Sequence, residues 1–222
     1  MQENKQSIYK RIEIKLRSII FCFRYLTFRQ AIHVPIIVCD TIKTNIKGEI
    51  VLDYDIEHEK VVIAGGGSFG LQEFVTGLLI QKNAKLILHG GVFISEGTVI
   101  RIDSGGLVEI GEKSYINKNN YLRSANTIKI GRDVVIGWNN TFNTTDGHII
   151  TVEGHKSKPD GDIIIGNHCW ITTYCTIGKN VVLADNTIVA QKSLVLSSFG
   201  ESNCLLGGIP AKILKNKVNW IR

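Results

Sequence analysis

The 222-residue sequence predicts an all-β fold, a parallel β-helix wound from six-residue repeats behind one amphipathic helix. Aliphatic residues recur at every sixth position as Ile165, Ile171, Ile177, Leu183, Val189 and Val195. Mostly small residues follow them at once, at Gly166, Thr172, Gly178, Ala184, Ala190 and, the exception, Leu196. Further constrained positions come four residues after the aliphatic, at Cys169, Cys175, Val181, Thr187 and Ser193. Neither an α-helix nor a single strand has that period. A hexapeptide that supplies a short strand and a corner does, because each aliphatic side chain then stacks under its equivalent in the next coil.

The elements follow in chain order. Residues 4 to 30 place Ile8, Ile12, Leu16, Ile19, Phe23 and Leu26 at three-and-four spacing, which predicts one apolar face on a helix. Lys5, Lys10, Arg11, Lys15, Arg17 and Arg24 occupy the other faces. That pattern fits a helix bracing the body with a solvated basic face, and it also invites a reading as peripheral contact with a membrane surface. After Pro35 come short β-branched runs such as Ile36-Ile37-Val38 and Val61-Val62-Ile63. The six-residue register then runs in blocks through Leu88, Ile94 and Ile100, through Ile110, Ile116, Leu122 and Ile128, and through Ile130, Ile136 and Phe142. Slips between blocks are expected to be corner loops. The longest interruption, Phe142 to Ile165, contains His148. The expected organisation is residues 1–45 as helix and connection, 46–199 as β-helix with an active-site loop at 143–162, and 200–222 as a C-terminal extension.

Composition narrows the function. A formal charge of +6 and an isoelectric point near 9.0 favour anionic partners such as a phosphorylated cofactor or a membrane surface. No zinc-finger spacing, RNA-binding aromatic signature or helix-turn-helix supports nucleic acid. Cys22, Cys39, Cys169, Cys175 and Cys204 are odd in number and irregular in spacing, as expected for reduced, packed thiols. The apolar run Ile19 to Phe23 is too short for a membrane span or signal core, so a cytoplasmic location is expected. Gly65 to Gly70 fits Gly-x-Gly-x-x-Gly, but repetitive β text rather than strand-helix units follows it.

The run Ile165-Gly-Asn-His-Cys-Trp-Ile171, then Ile177-Gly-Lys-Asn and Gly208-Ile-Pro-Ala-Lys212, resembles the hexapeptide acyltransferase superfamily. Thr144-Thr-Asp-Gly-His148 ahead of it looks like the O-acetyltransferases that modify bacterial capsule and lipopolysaccharide. The resemblance implies a left-handed parallel β-helix, a homotrimer with sites between subunits, acetyl-CoA as acyl donor and no metal. The implied acceptor is a sugar hydroxyl on a cell-surface glycan or its precursor, with an amino-sugar N-acetyltransferase as the alternative. It makes His148 the general base, a role suited to imidazole at neutral pH. Asp146 could orient that ring. Trp170, Thr172, Thr173, Ala190 and Gln191 fall beside the family's coenzyme groove, and Lys212 and Lys215 where basic residues meet coenzyme phosphates. Asn140 and Asn143 are expected to meet the acceptor. The family has Gly where this chain has Thr172, and Gly-Ala-Gly-Ser where it has Ala190-Gln-Lys-Ser193. His148, His155 and His168 lack the close pair of the γ-class carbonic anhydrases, which argues against a zinc hydratase. The loop Ile149 to Gly161 is expected to help select the acceptor.

Overall fold

Aliphatic residues at a fixed period can bury themselves only if successive coils lie in register, and this packing organises the molecule. A computed structural model describes residues 2–66 and 75–222, with side chains from Ile8 onward. Coils contribute strands in turn to three parallel sheets, so neighbours within a sheet mostly lie three strands apart along the chain, or five where the inserted hairpin intervenes. In the first sheet the inward column runs Val38, Ile63, Ile94, Ile116, Ile136, Ile171, Val189 and Leu206. The second sheet stacks Leu78, Ile100, Leu122, Phe142, Ile177 and Val195. The third stacks Leu52, Leu88, Ile110, Ile130, Ile165 and Leu183. Every aliphatic residue of the six-residue register is therefore an inward side chain.

Two expectations need correction. Ile128 and Ile130 were expected to flank a loop, but both lie on the strand Thr127–Ile130 and are buried. The two-residue slip lengthens a strand of the third sheet by one inward position, which preserves alternation because strands have period two. The strand Ile36–Val38 already pairs with Val61–Gly65, so the solenoid begins upstream of residue 46. It also extends past residue 199, because Cys204–Gly208 pairs in parallel with Ile188–Val189 before Ala211–Asn216 turns back antiparallel. The stretch 67–74, which carries most of the Gly65 to Gly70 motif, lies outside the described residues.

Corners impose their own chemistry. His168, Tyr174, Asn180, Asn186 and Lys192 have φ of 51°, 59°, 62°, 59° and 59°, a left-handed residue at every sixth position. Asparagine tolerates that region better than most residues. At the corner between the first and second sheets Asn120 and Asn140 form a buried ladder. The Asn120 Oδ1 accepts from Asn140 N at 2.9 Å, while Asn140 donates to Thr172 O at 2.9 Å and accepts from Cys175 N at 2.7 Å. The coils approach closely here, and a Cβ on Gly137 would lie 2.3 Å from Thr172 O.

The first edge strand is covered. Helix α1 (Gln2–Tyr25) packs on the first strand, where Ser18 Oγ accepts from Val38 N at 2.9 Å and Cys22 Sγ meets Ile36 O at 3.5 Å. These contacts satisfy part of an edge that would otherwise invite another strand. A short helix α2 (Phe28–Ala31) follows, with a capping box between Thr27 and Gln30. The docked face of α1 is Ser18, Phe21 and Cys22; of the expected stripe, Ile8, Ile12, Leu16 and Phe23 are exposed, Ile19 is partly buried, and Leu26, just past the helix, packs against the core. The periodicity correctly marks a helix, but the body uses the opposite face.

The C-terminal segment, expected as a basic tail, is latched along the corner between the third and first sheets. The Trp220 ring stacks on His168 with centroids 4.3 Å apart, and its Nε1 donates to His168 O at 2.8 Å. Asp133 accepts from Arg222 at 3.0 Å and pairs with His168 Nδ1 at 2.6 Å. Burial opposes ionisation of Asp133, but the hydrogen bonds from His168 and Arg222 outweigh it and hold the carboxyl below its ordinary value. A depressed carboxyl stabilises the latch fully above the unfolded value of about 4, and that contribution is lost as pH falls through the lower folded value. Amide exchange of residues 217–222 should therefore stay slow from neutrality down to about pH 4 and accelerate below it. In Asp133→Asn it should be fast at neutral pH as well; unchanged protection in that variant would remove the latch.

Candidate active site

The interruption between Phe142 and Ile163 leaves the solenoid at the corner between the second and third sheets and returns to it as a closed loop. Its base is tied by Asp146 N donating to Pro159 O at 2.9 Å, Gly161 N donating to Thr144 O at 2.9 Å, and a bridge between Thr145 and Asp160. Thr144 is buried and its Oγ1 accepts from Ala125 N at 2.7 Å, which seats the motif on the preceding coil. Gly147 N donates to Thr145 Oγ1 at 3.0 Å. The tip is a two-stranded hairpin, Thr151–Val152 with His155–Lys156.

His148 stands exposed just beyond this tied base. Among the described residues four histidines have a carboxylate within 4.0 Å: His33 with Glu57, His58 with Asp55, His89 with Glu109 and His168 with Asp133. His148 and His155 have none. Asp146 does not orient the His148 ring as expected. Its carboxylate pairs with Lys179 Nζ at 2.5 Å, and the same ammonium donates to Lys158 O at 2.7 Å and Pro159 O at 3.2 Å. Lys179, missed in the sequence, thus clamps both arms of the loop from the next coil. Its position within Ile177-Gly-Lys-Asn gives no hint of this, since the contact spans the insertion.

The two asparagines separate. Asn140 is buried with both amide atoms bonded to backbone, so it is a rung of the corner and presents nothing to an acceptor. Asn143 lies on the outer face of the second sheet beside Arg123, and its Nδ2 donates to Thr145 O at 2.7 Å. Its Oδ1 is buried without a partner among the described residues.

The residues expected beside a coenzyme gather elsewhere, on the first sheet and the corner that follows it. Trp170 faces outward on Trp170–Ile171, between Val135 and Ile188, with the Trp220 ring 5.9 Å away. Thr172 and Thr173 form the corner after Ile171, and Ala190 and Gln191 the same corner one coil on. Thr172 Oγ1 donates to Val189 O at 2.8 Å, so its extra bulk over glycine is turned between coils. Gln191 and Lys192 are exposed. Lys212 pairs with Gly207 and Lys215 with Leu205 on the terminal hairpin, next to the Ile188–Val189 strand, and both are exposed. The loop carrying His148 and this cationic corner are thus separated within one chain by the whole width of the second sheet.

No family model matches the chain. It is 31% identical over 141 residues to an uncharacterized 24.8 kDa protein in the cps region of Klebsiella pneumoniae, covering 64% of this chain and 63% of that protein. The chain therefore spans under two thirds of that relative's length. It is 28% identical to the galactoside O-acetyltransferase of Escherichia coli K12, over 61% of this chain and 69% of that one. The crystal structure of the polySia specific acetyltransferase NeuO shares the fold, with a TM-score of 0.53 at 22% identity over 82% of this chain and 88% of that one. The chain is thus similar to a galactoside O-acetyltransferase in sequence and to a polySia specific acetyltransferase in its three-sheet solenoid.

Proposed function

We propose that the chain transfers an acetyl group from acetyl-CoA to a hydroxyl of a glycan or glycan precursor, with His148 as general base, in a homotrimer whose sites lie between subunits. The observation that carries this reading is His148 itself, exposed and without a carboxylate partner on a loop whose base is fixed by the coils on either side. A base must reach substrate with a free ring nitrogen, and a tied loop limits the entropy lost in aiming it. The similarity to a galactoside O-acetyltransferase supports hydroxyl transfer.

The proton movements are simple. As the hydroxyl oxygen attacks the thioester carbonyl, the imidazole takes its proton. The tetrahedral oxyanion then collapses, the C–S bond breaks, and the imidazolium returns the proton to the departing thiolate. The products are an ester and the free thiol of coenzyme A. No acyl-enzyme is needed. Cys169 and Cys175 are buried with thiols pushed up by desolvation, Cys169 to about 12, which disfavours nucleophilic thiolate. Asp146, engaged with Lys179, contributes by positioning the loop.

Where the parts sit supports a site shared between subunits. Trp170, Thr173, Ala190, Gln191, Lys212 and Lys215, with Thr172 in the same corner holding its hydroxyl on Val189 O, offer an extended aromatic, polar and cationic surface that suits pantetheine and phosphate, but at a different corner from His148. A neighbouring subunit bringing its cationic corner to this chain's loop would complete the constellation, as cyclic symmetry allows.

His148→Gln should lower kcat roughly 10²- to 10⁴-fold with assembly intact. His155→Gln, as the control, should keep kcat within about threefold of wild type. A His148→Gln enzyme with a near-normal rate would place the base elsewhere. Mass analysis of the product distinguishes acetyl on a hydroxyl from acetyl on an amine. Replacing Lys212 and Lys215 together with Ala should raise KM for acetyl-CoA with kcat much less affected, because phosphate contacts are remote from the reacting carbonyl. An unchanged KM would leave both lysines as a solvated surface.

A further inference from the structure

Helix α1 shows two apolar faces, and the body covers one. Phe21 and Cys22 are buried against the first coil, with Ser18 bonded to Val38 N. At 100° per residue the remaining apolar side chains fall on the opposite side. Ile12, Leu16, Ile20 and Phe23 are 50%, 54%, 64% and 49% exposed. The ridge continues beyond the helix, where Phe28 meets Phe23 edge to face at 6.0 Å and is 75% exposed. Isolated exposed apolar residues are ordinary, but a continuous ridge along several helical turns marks a contact surface.

Charge indicates the partner. From Ile8 to Ile32 the chain carries Lys10, Arg11, Lys15, Arg17, Arg24 and Arg29 against a single acid, Glu13. Arg17 neutralises that acid at 3.1 Å. Lys15 and Arg24 stand exposed on either border of the ridge, and Arg29 beside Phe28. Two copies meeting ridge to ridge would bring these cationic borders together, which is repulsive. An anionic lipid surface is complementary to both features, accepting the apolar side chains below the headgroups and the cations among them. Long basic side chains at the border can reach headgroup phosphates while their stems follow the acyl region. Among the described residues no helix is long and apolar enough to cross a membrane, so contact would be in the plane of the surface.

We propose that the outward face of α1, centred on Ile12, Leu16, Ile20 and Phe23 and bordered by Lys15, Arg24 and Arg29, docks the protein on an anionic membrane surface. This docking is independent of the acetyl-transfer reading. It would hold the catalytic loop near acceptors attached to lipid, while leaving chemistry on soluble acceptors unaffected.

The test is cosedimentation of the full chain with vesicles of phosphatidylglycerol and phosphatidylethanolamine, and with phosphatidylcholine alone. The wild type should pellet with the anionic vesicles, stay in solution with the neutral ones, and release as salt is raised through the range where screening becomes strong. Leu16→Asp and, separately, the charge reversal Lys15→Glu with Arg24→Glu should each weaken binding about tenfold or more. Three vesicle-independent controls are open to measurement in the same samples: thermal midpoint, oligomer size, and activity on a soluble acceptor with each substrate varied. These should match wild type, because Lys15, Leu16 and Arg24 are exposed and make no hydrogen bond or ion pair with the body among the described residues. A wild type that stays in solution with anionic vesicles overturns the proposal. So does a Leu16→Asp protein that binds normally, or one whose oligomer dissociates, since the ridge would then be an interface between copies.

Discussion

The inward stacking of aliphatic side chains, coil upon coil, is the contact on which the remainder of the structure depends. Ile165, Ile171 and Ile177 lie directly over Leu183, Val189 and Val195, one turn of eighteen residues later on each of three sheets. Each column buries apolar surface continuously, while parallel pairing between coils satisfies the backbone. Because every coil contacts only its neighbours, the core tolerates extra residues wherever the chain passes outside a column. That tolerance lets a loop of some twenty residues leave after Asn143 and return at Ile163 without disturbing the stack below it.

The same geometry constrains chemistry. A solenoid has no central cavity, since its interior is filled by the columns, so a site must be built on faces and corners. In this chain His148 belongs to one corner, and the residues suited to a coenzyme to another. The clamp formed by Lys179 on Asp146, Lys158 and Pro159 shows how a corner loop acquires rigidity from the neighbouring coil. The latch of Trp220 on His168 and of Arg222 on Asp133 does the same at the third corner.

The core was legible in the sequence because stacking imposes a period that nothing else imposes, and every aliphatic residue picked out by that period is buried. The slip at Ile128 and Ile130 was misread because an added strand pair and a corner loop leave the same gap in the register. Helix α1 was visible but its orientation was not: it has apolar residues on two sides, and only the partner surface decides which is covered. Asn140 looked like a polar residue near the active-site motif, yet in a solenoid a corner asparagine is also the natural ligand for backbone groups. Lys179, Trp220 and Arg222 act through contacts between residues far apart in sequence, and no local pattern records such contacts.

The central claim is that a working site takes His148 from one chain and its coenzyme corner from another. Mixed trimers test it directly. His148→Gln disables the first half, and Ala190→Trp fills the corner between Thr172 and Gly207 to disable the second, so each variant alone should be nearly inactive. Random mixing of equal amounts should restore about a quarter of wild-type activity, since about three quarters of the trimers are mixed and each of these regains one intact interface in three. Mixing that is verified by mass yet leaves activity at the level of the parents would contradict the account and mean that each chain builds its site from its own residues.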